Sequence, residues 1–219
     1  MAEINLMEFY PRSKRPIKER AGLITEEHRN VAREFGKEYF DGDRLFGYGG
    51  YQYHPRFWQA TVRKIHDYYK LPKGASILDV GCGKGFMLHD FKEAYPDLSV
   101  AGLDVSGYAI SNALEDMKPY LQVGDVRSLP YPDRSFDLVI SINTVHNLPL
   151  KECKEGLLEI ERVRRGHSFI VVDAWRDPGE RERMLQWNLT ALTYMHVEDW
   201  KKLFREVGYT GDYYWFIAE

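Results

Sequence analysis

A glycine-rich stretch near the middle of the chain is the segment best suited to chemistry. Residues 76–86 read SILDVGCGKGF, so that an apolar run reaches Asp79 and glycines follow at Gly81, Gly83 and Gly85. An apolar run, a tight glycine turn and the start of a helical pattern are typical of a βα unit. Glycine has no Cβ, so the backbone can approach a ligand closely. The stretch therefore predicts a ligand-binding turn whose N–H groups and helix N-terminus face the ligand.

The residues around these glycines narrow the choice of ligand. A nicotinamide dinucleotide site requires G-x-G-x-x-G, and its last glycine is replaced here by Phe86. Asp79 lies two residues before Gly81, where a carboxylate repels a pyrophosphate and attracts a cation such as an ammonium or sulfonium group. The turn is therefore predicted to bind a ligand that has a cationic part.

The complete pattern D-x-G-x-G-x-G resembles motif I of the class I S-adenosylmethionine-dependent methyltransferases. Asp104 ends a second apolar run 19 residues after Gly85, close to the roughly 20 expected of an acid that binds a ribose. One carboxylate accepts both donors of a ribose diol. The resemblance implies that Asp104 and its neighbour Val105 hold the ribose, while Gly81, Cys82 and Gly83 form the turn.

Two further segments follow in the order of that family. Residues 124–130 (GDVRSLP) resemble its adenine-binding segment, which implies that Asp125 accepts from the adenine amino group and that the Val126 N–H contacts a ring nitrogen. Residues 135–145 resemble its fourth strand, which places Asn143 at the methionine part of the cofactor. His146 follows at the mouth of the cleft, and a neutral imidazole there is the candidate general base.

The methyl acceptor is expected to bind under the segment before the first strand. Residues 47–54 (GYGGYQYH), called the lid below, combine mobile glycines with the flat side chains of Tyr48, Tyr51 and Tyr53 and with His54. Two arginines, Arg44 and Arg176, are candidates to hold a carboxylate or phosphate of the acceptor. The alternative for the lid residues is a surface loop that only packs on the core, and the alternative for the arginines is a surface charge.

Composition limits the kind of protein. The net charge is −3 and charged residues make up 29%, so no basic excess favours a nucleic-acid partner. The sequence has no apolar run of membrane-spanning length and no signal-peptide pattern. Its cysteines, Cys82 and Cys153, make neither a disulfide framework nor a metal cluster. We expect a cytoplasmic protein without a metal site or a membrane partner. The sequence does not indicate its oligomeric state.

These sites require an α/β fold. The resemblance implies a Rossmann-like, doubly wound, seven-stranded sheet or an abbreviated form of it, with helices on both faces. Residues 71–219 form this core, and residues 1–70 form an arm, an N-terminal helical cap and the lid. One helix is predicted over residues 25–40, with Thr25 as its N-cap. The family closes its sheet with an antiparallel hairpin, and residues 209–219 barely hold one, so strand six is expected to be short or absent.

The resemblance implies methyl transfer from S-adenosylmethionine, with S-adenosylhomocysteine as the product. The sequence from Asn143 to His146 lacks the N/D-P-P-Y/F motif of enzymes that methylate amino groups of nucleic acids and glutamine. These observations favour an O or N atom of a small metabolite, such as a sugar derivative or another anionic intermediate. The alternatives are methylation of RNA or protein, or a regulator that binds the cofactor without catalysis.

Overall fold

The protein, described over residues 1–11 and 17–218 by a computed structural model, is a parallel sheet between two layers of helices. The strands are β1 Ser76–Val80, β2 Ser99–Asp104, β3 Leu121–Val123, β4 Phe136–Ile142, β5 Arg164–Trp175, β6 Met195–His196 and β7 Asp212–Phe216. The helices of the described residues are α1 Ile17–Ala21, α2 Glu26–Arg33, α3 Lys37–Asp41, α4 Gln59–Tyr69, α5 Phe86–Ala94, α6 Gly107–Ser111, α7 Leu150–Val163, α8 Pro178–Trp187 and α9 Val197–Glu206. The predicted doubly wound α/β class is confirmed.

The sheet runs in the order β3-β2-β1-β4-β5, and both β7 and β6 pair with the far edge of β5. β7 pairs with residues 169–173, and the two-residue β6 pairs with Ala174 and Trp175. The described part of residues 209–219 holds one strand, β7, which runs parallel to β5, so the family's antiparallel hairpin does not form there. The short β6 lies earlier in the chain, before α9.

Both faces of the sheet are buried, which explains why its strands read as continuous apolar runs. Ile77 and Ile140 face the core under α4 and α5, whereas Leu78 and Val139 face the core under α7 and α9. Each such side chain contributes roughly 1.5–3 kcal/mol by leaving water. The two cores fix the carboxyl ends of β1, β4 and β5 relative to one another.

The segment predicted as one helix over residues 25–40 is divided into α2 and α3. Thr25 is the N-cap as predicted, and its hydroxyl accepts from the His28 N–H at 3.3 Å. The single helix is wrong, because Phe35 adopts a left-handed φ of 49° and Gly36 then caps α3. This break brings α3 against α6, close to the end of β2.

The first residues of the chain cover the edge of β7. Tyr213 donates its N–H to the Ala2 carbonyl at 3.0 Å and accepts from the Ile4 N–H at 2.9 Å. Leu6 follows and is fully buried. In this part of the chain and over residues 17–218, no helix is long and apolar enough to cross a membrane.

Candidate functional site

The strand order reverses at β1, which has β2 on one side and β4 on the other. Ligands of open α/β sheets bind beside such a switch point, at the carboxyl ends of the strands. The turn after β1 touches the end of β4 here. A Cβ on Gly81 would lie 2.0 Å from the Thr144 Oγ1, and Gly81 has a φ of 84°. Only glycine fits this position.

The N–H groups of the glycine turn bond within the protein. Gly81 and Cys82 donate to the Leu103 carbonyl at 2.7 and 3.1 Å, and Gly83 donates to the Asp104 Oδ2 at 2.7 Å. This differs from the prediction that these groups face a ligand. The turn instead fixes the end of β2 and orients the Asp104 carboxylate.

Each oxygen of the Asp104 carboxylate accepts one backbone hydrogen bond. Its Oδ1 accepts from the Ser106 N–H at 2.8 Å and its Oδ2 from Gly83, so each oxygen keeps a lone pair for a hydroxyl group. Burial raises the pKa of Asp104, and these two hydrogen bonds oppose the shift. Val105, the next residue, is exposed and leaves the approach to the carboxylate open.

Asp125 lies just after β3, at the same carboxyl edge of the sheet as Asp104. Both of its oxygens are 2.9 Å from the Arg127 Nε, and Arg127 also bonds Glu152 at 2.8 Å. The Arg127 guanidinium holds the pKa of Asp125 below its usual range. Asp125 is thus an ionised acceptor, but Arg127 competes with any ligand for it. The Val126 side chain is buried in the core under α7.

A cavity of about 610 Å³ opens beside the glycine turn, within the size range of small-molecule sites. It extends from the ends of β1, β4 and β5 to the lid and the first residues of the chain. Four of the predicted cofactor residues line it, namely Asp79, Gly81, Cys82 and Asn143. The other five lie outside it, at the turn and at the ends of β2 and β3, namely Gly83, Asp104, Val105, Asp125 and Val126.

Asp79 presents a buried carboxylate at this cavity. Its side chain makes no hydrogen bond or ion pair with another residue of the described chain, and the residue is 4% exposed. Burial, and then the charge of Asp104, raise the pKa of Asp79 to about 8. Because a buried anion is stabilised by an opposite charge, this position suits an ammonium group of a ligand.

His146 has a fixed hydrogen-bond arrangement. Its Nδ1 accepts from the Asp173 N–H at 3.0 Å, so the neutral ring carries its proton on Nε2. This Nε2 lies 3.7 Å from the Asp173 Oδ1. Burial lowers the pKa of His146, although the Asp173 carboxylate opposes the shift. The imidazole therefore meets the cavity as a neutral N–H donor.

The lid covers the turn. The Tyr51 ring stacks on Phe86 with centroids 4.8 Å apart, and a Cβ on Gly83 would lie 3.3 Å from it. Tyr48, Tyr51 and His54 line the cavity, as an acceptor wall requires. Tyr53 does not, because its hydroxyl donates to the Asp90 Oδ1 on α5 at 2.6 Å. Tyr53 therefore attaches the lid to the core.

Both predicted arginines reach the cavity, but each has a partner. Arg44 Nη1 donates to the carbonyls of Gly47 and Tyr48 at 3.0 and 2.6 Å, so it shapes the lid. Arg176 lies 3.9 Å from the carboxylates of Glu3 and Glu180.

Four residues of the site are missing from the sequence prediction. Tyr39, Arg20 and Asp173 line the cavity, and Lys84 in the glycine turn bonds Asp41 and the Tyr51 carbonyl. Asp173 follows the apolar run of β5 as Asp79 follows that of β1, so the same signal was available for it. Arg20 and Lys84 meet partners distant in sequence, which no local pattern reveals.

Comparison with known proteins agrees with this geometry. A family model for a methyltransferase domain matches residues 77–167. The chain is 31% identical over 132 residues to tRNA (carboxymethyluridine(34)-5-O)-methyltransferase of Arabidopsis thaliana, covering 59% of this chain and 31% of that protein. It is 29% identical over 157 residues to 2-methyl-6-phytyl-1,4-hydroquinone methyltransferase of Synechocystis sp., covering 66% and 48%.

Both matches leave more than half of the relative's own length uncovered. The solved structure of the YcgJ protein of Bacillus subtilis shares the fold with a TM-score of 0.55 at 18% identity, covering 67% of this chain and 66% of that one. The sheet order and the Asp79 glycine turn agree with these matches over residues 77–167. These residues match a methyltransferase domain, and the motifs and fold of the chain are those of the class I S-adenosylmethionine-dependent methyltransferase superfamily.

Proposed function

We propose that this chain binds S-adenosylmethionine and transfers its methyl group to an O or N atom of a small molecule. One observation carries the proposal: a single cavity joins the cofactor end, at Asp79 and Cys82, to the lid residues Tyr48 and Tyr51. A donor and an acceptor held in one enclosed space meet the main need of methyl transfer, which is alignment.

The residues present fit this cofactor. Asp79 would hold its ammonium group, the Asp104 carboxylate its ribose and Asp125 its adenine amino group. When bound, the cofactor supplies a methyl group already activated by the sulfonium. The protein aligns the acceptor and excludes water beneath the lid. Burial raises the pKa of Tyr39 to about 12, so this tyrosine serves as a hydrogen-bond donor at neutral pH.

An acceptor hydroxyl or ammonium must also lose a proton. We assign this step to His146 and Asp173 as a pair, because both line the cavity and lie 3.7 Å apart. With the proton on the His146 Nε2, the Asp173 carboxylate receives the proton and His146 orients it. For His146 to act as the base itself, its proton would have to move to Nδ1, where it would oppose the Asp173 N–H.

An acceptor in RNA is the second candidate, because one relative is named as a tRNA methyltransferase. The roof over the cavity supports a small acceptor instead. Tyr48 and Tyr51 lie over the turn with their ring centroids 4.3 Å apart, and Arg44 holds this loop through two carbonyls. A base in RNA would have to pass this roof to reach the cofactor.

The first test is calorimetric titration with S-adenosylmethionine and S-adenosylhomocysteine. We expect micromolar binding to the unmodified chain, its loss in Asp104→Ala, and no change in Asp97→Ala, a surface acid paired with Lys73 at 3.3 Å. Methyl-labelled cofactor is then offered with small-metabolite, RNA and protein fractions. Absence of cofactor binding would contradict the proposal. Label found only in RNA would favour the second candidate, and label found only in protein would contradict both.

A further inference from the structure

Two arginines at the cavity have no counter-ion among the described residues. Arg20 and Arg44 both line it, and neither forms an ion pair with a described carboxylate. The Arg20 Nε is buried and has no hydrogen-bond partner among residues 1–11 and 17–218, while its guanidinium carbon lies 4.9 Å above the Trp187 ring. Burial, and then repulsion from Arg44, lower the pKa of Arg20. Both cations therefore face the same cavity.

The charges that line the cavity also indicate an anionic ligand. The described lining contains three arginines and three acids, namely Arg20, Arg44, Arg176, Asp79, Asp173 and Glu180. The proposed cofactor brings a sulfonium, an ammonium and a carboxylate, which sum to one positive charge. Where an arginine of this lining has no acid of the described residues beside it, positive charge remains for an anionic acceptor to neutralise.

The location of that charge follows from the ion pairs. Arg176 has Glu180 and Glu3 within 3.9 Å, and Asp79 is the partner suited to the cofactor's ammonium group. Arg20 and Arg44 are thus the lining arginines without an ion pair among the described residues. A guanidinium matches a carboxylate or phosphate with paired N–H donors, and the unbonded Arg20 Nε is one such donor.

We propose that Arg20 and Arg44 form an anion subsite that binds a carboxylate or phosphate group of the methyl acceptor. The inference rests on the proposed function, because it needs an acceptor that shares the cavity with the cofactor. Arg44 already holds the lid through Gly47 and Tyr48, so an anion bound there also orders the lid over the reacting groups.

Pairs of probes, of which one carries an anionic group and the other does not, test the subsite in protein saturated with S-adenosylhomocysteine. The carboxylate arm compares 4-hydroxybenzoate with 4-hydroxybenzamide, and the phosphate arm compares phenyl phosphate with phenol, by ligand-observed NMR titration. We expect the anion of at least one arm to bind about tenfold more tightly than its neutral partner. The arm with the larger preference identifies the group.

The tighter binding of the anionic probe should disappear in Arg20→Gln. It should be partly retained in Arg20→Lys, which keeps the positive charge but loses the paired N–H donors of the guanidinium. Arg63→Gln is the control, because Arg63 is exposed on α4 and lies outside the cavity lining. The affinity for S-adenosylhomocysteine is measured in every variant. An affinity within about twofold of the unmodified chain in Arg20→Gln would support an acceptor subsite.

Two results would overturn the subsite. Equal binding of charged and neutral probes to the unmodified chain would show that no anion is recognised, a result that stands even if Arg20→Gln fails to fold. A loss of S-adenosylhomocysteine binding in folded Arg20→Gln as large as the loss of anion binding would assign the arginines to the cofactor's own carboxylate. Failure of the unmodified chain to bind S-adenosylhomocysteine would instead contradict the proposed function.

Discussion

The Asp79 carboxylate lies at the cavity wall, and its burial raises the pKa to about 8, whereas an aspartate in an unfolded chain titrates near ~3.9. Between these values the folded protein binds more protons than the unfolded chain. The free energy of unfolding contributed by this group therefore falls as the pH rises through that window. At the upper end of that window the ionised carboxylate is costly to the fold, and a bound cation would compensate it.

Asp79→Asn should consequently stabilise the ligand-free protein and abolish its response to the cofactor. We expect a higher melting temperature than that of the unmodified chain at about pH 8, and a difference that shrinks toward about pH 4. S-adenosylmethionine should raise the melting temperature of the unmodified chain only. A substitution that destabilises the protein at the higher pH would contradict this account, and Asp97→Asn serves as the control.

His146 and Asp173 are separable by substitutions that preserve shape. Asp173→Asn removes the proton acceptor, so kcat should fall by roughly 100-fold or more. His146→Gln keeps an acceptor for the Asp173 N–H and should cost less than about tenfold. Both are measured as pH profiles of kcat. If His146→Gln loses as much as Asp173→Asn and also loses the acidic limb, the imidazole itself is the base.

The same histidine affects stability at acid pH. Burial lowers its folded pKa below that of the unfolded chain, so the native state holds it neutral. As the pH falls below the unfolded value of about 6.5, the unfolded chain takes up the proton first. The free energy of unfolding therefore decreases as the pH is lowered. His146→Gln should reduce this acid sensitivity, which a series of denaturation curves would record.

At the scale of elements, a lysine of the glycine turn holds α3 and the lid in place. The Lys84 Nζ lies 2.9 and 2.7 Å from the two oxygens of Asp41 and 2.9 Å from the Tyr51 carbonyl. Asp41 also accepts from the Tyr108 hydroxyl at 2.8 Å, on α6. The turn, the lid and two helices thus share one charge pair, in which Lys84 is buried and Asp41 is half-buried. This pair ties the roof of the cavity to the glycine turn.

Lys84→Met should leave the Asp41 charge without its cation and release the lid. We expect a loss of roughly 1–3 kcal/mol in the free energy of unfolding, because the Asp41 left behind is half-buried, and faster hydrogen exchange over residues 41–54. The double variant with Asp41→Asn should recover part of that loss, because no unpaired charge remains. A double variant no more stable than Lys84→Met alone would show that the pair is not coupled.

At the scale of the whole molecule, the α/β class and the position of the glycine turn were predictable because they depend on local patterns. A buried strand reads as an apolar run, and an acid at its end marks the carboxyl edge, as Asp79 and Asp104 do. Asp173 carries the same signal on β5. The glycine turn was recognised correctly, but its N–H groups bond Leu103 and Asp104, because the register between strands decides which acceptors they meet.

The roof of the cavity was less predictable because it depends on contacts between distant residues. The break at Phe35 is a left-handed residue in a sequence with helical character, and only the packing of α3 on α6 reveals it. Tyr53 lies one residue from a cavity-lining neighbour, yet it bonds Asp90, 37 residues away. The environment of Arg20 is set by Arg44 and Trp187, and no spacing rule in the sequence connects these residues.

At the scale of the whole molecule, the first residues of the chain also protect one edge of the sheet. An open edge strand exposes unpaired backbone groups and invites pairing with another chain, and residues 2–4 cover β7 in this protein. The fully buried Leu6 fixes this segment to the core. Leu6→Ala should therefore reduce the free energy of unfolding by about 2–5 kcal/mol and promote association of the chain.

Urea denaturation and light scattering measure these two effects. Phe9→Ala is the matched control, because Phe9 is an apolar residue of the same segment but is 53% exposed, so its removal should change stability by no more than about 0.5 kcal/mol. Equal effects of the two substitutions would mean that the segment does not depend on Leu6. A monomeric Leu6→Ala variant of lowered stability would mean that packing, and not protection of the edge, is its main contribution.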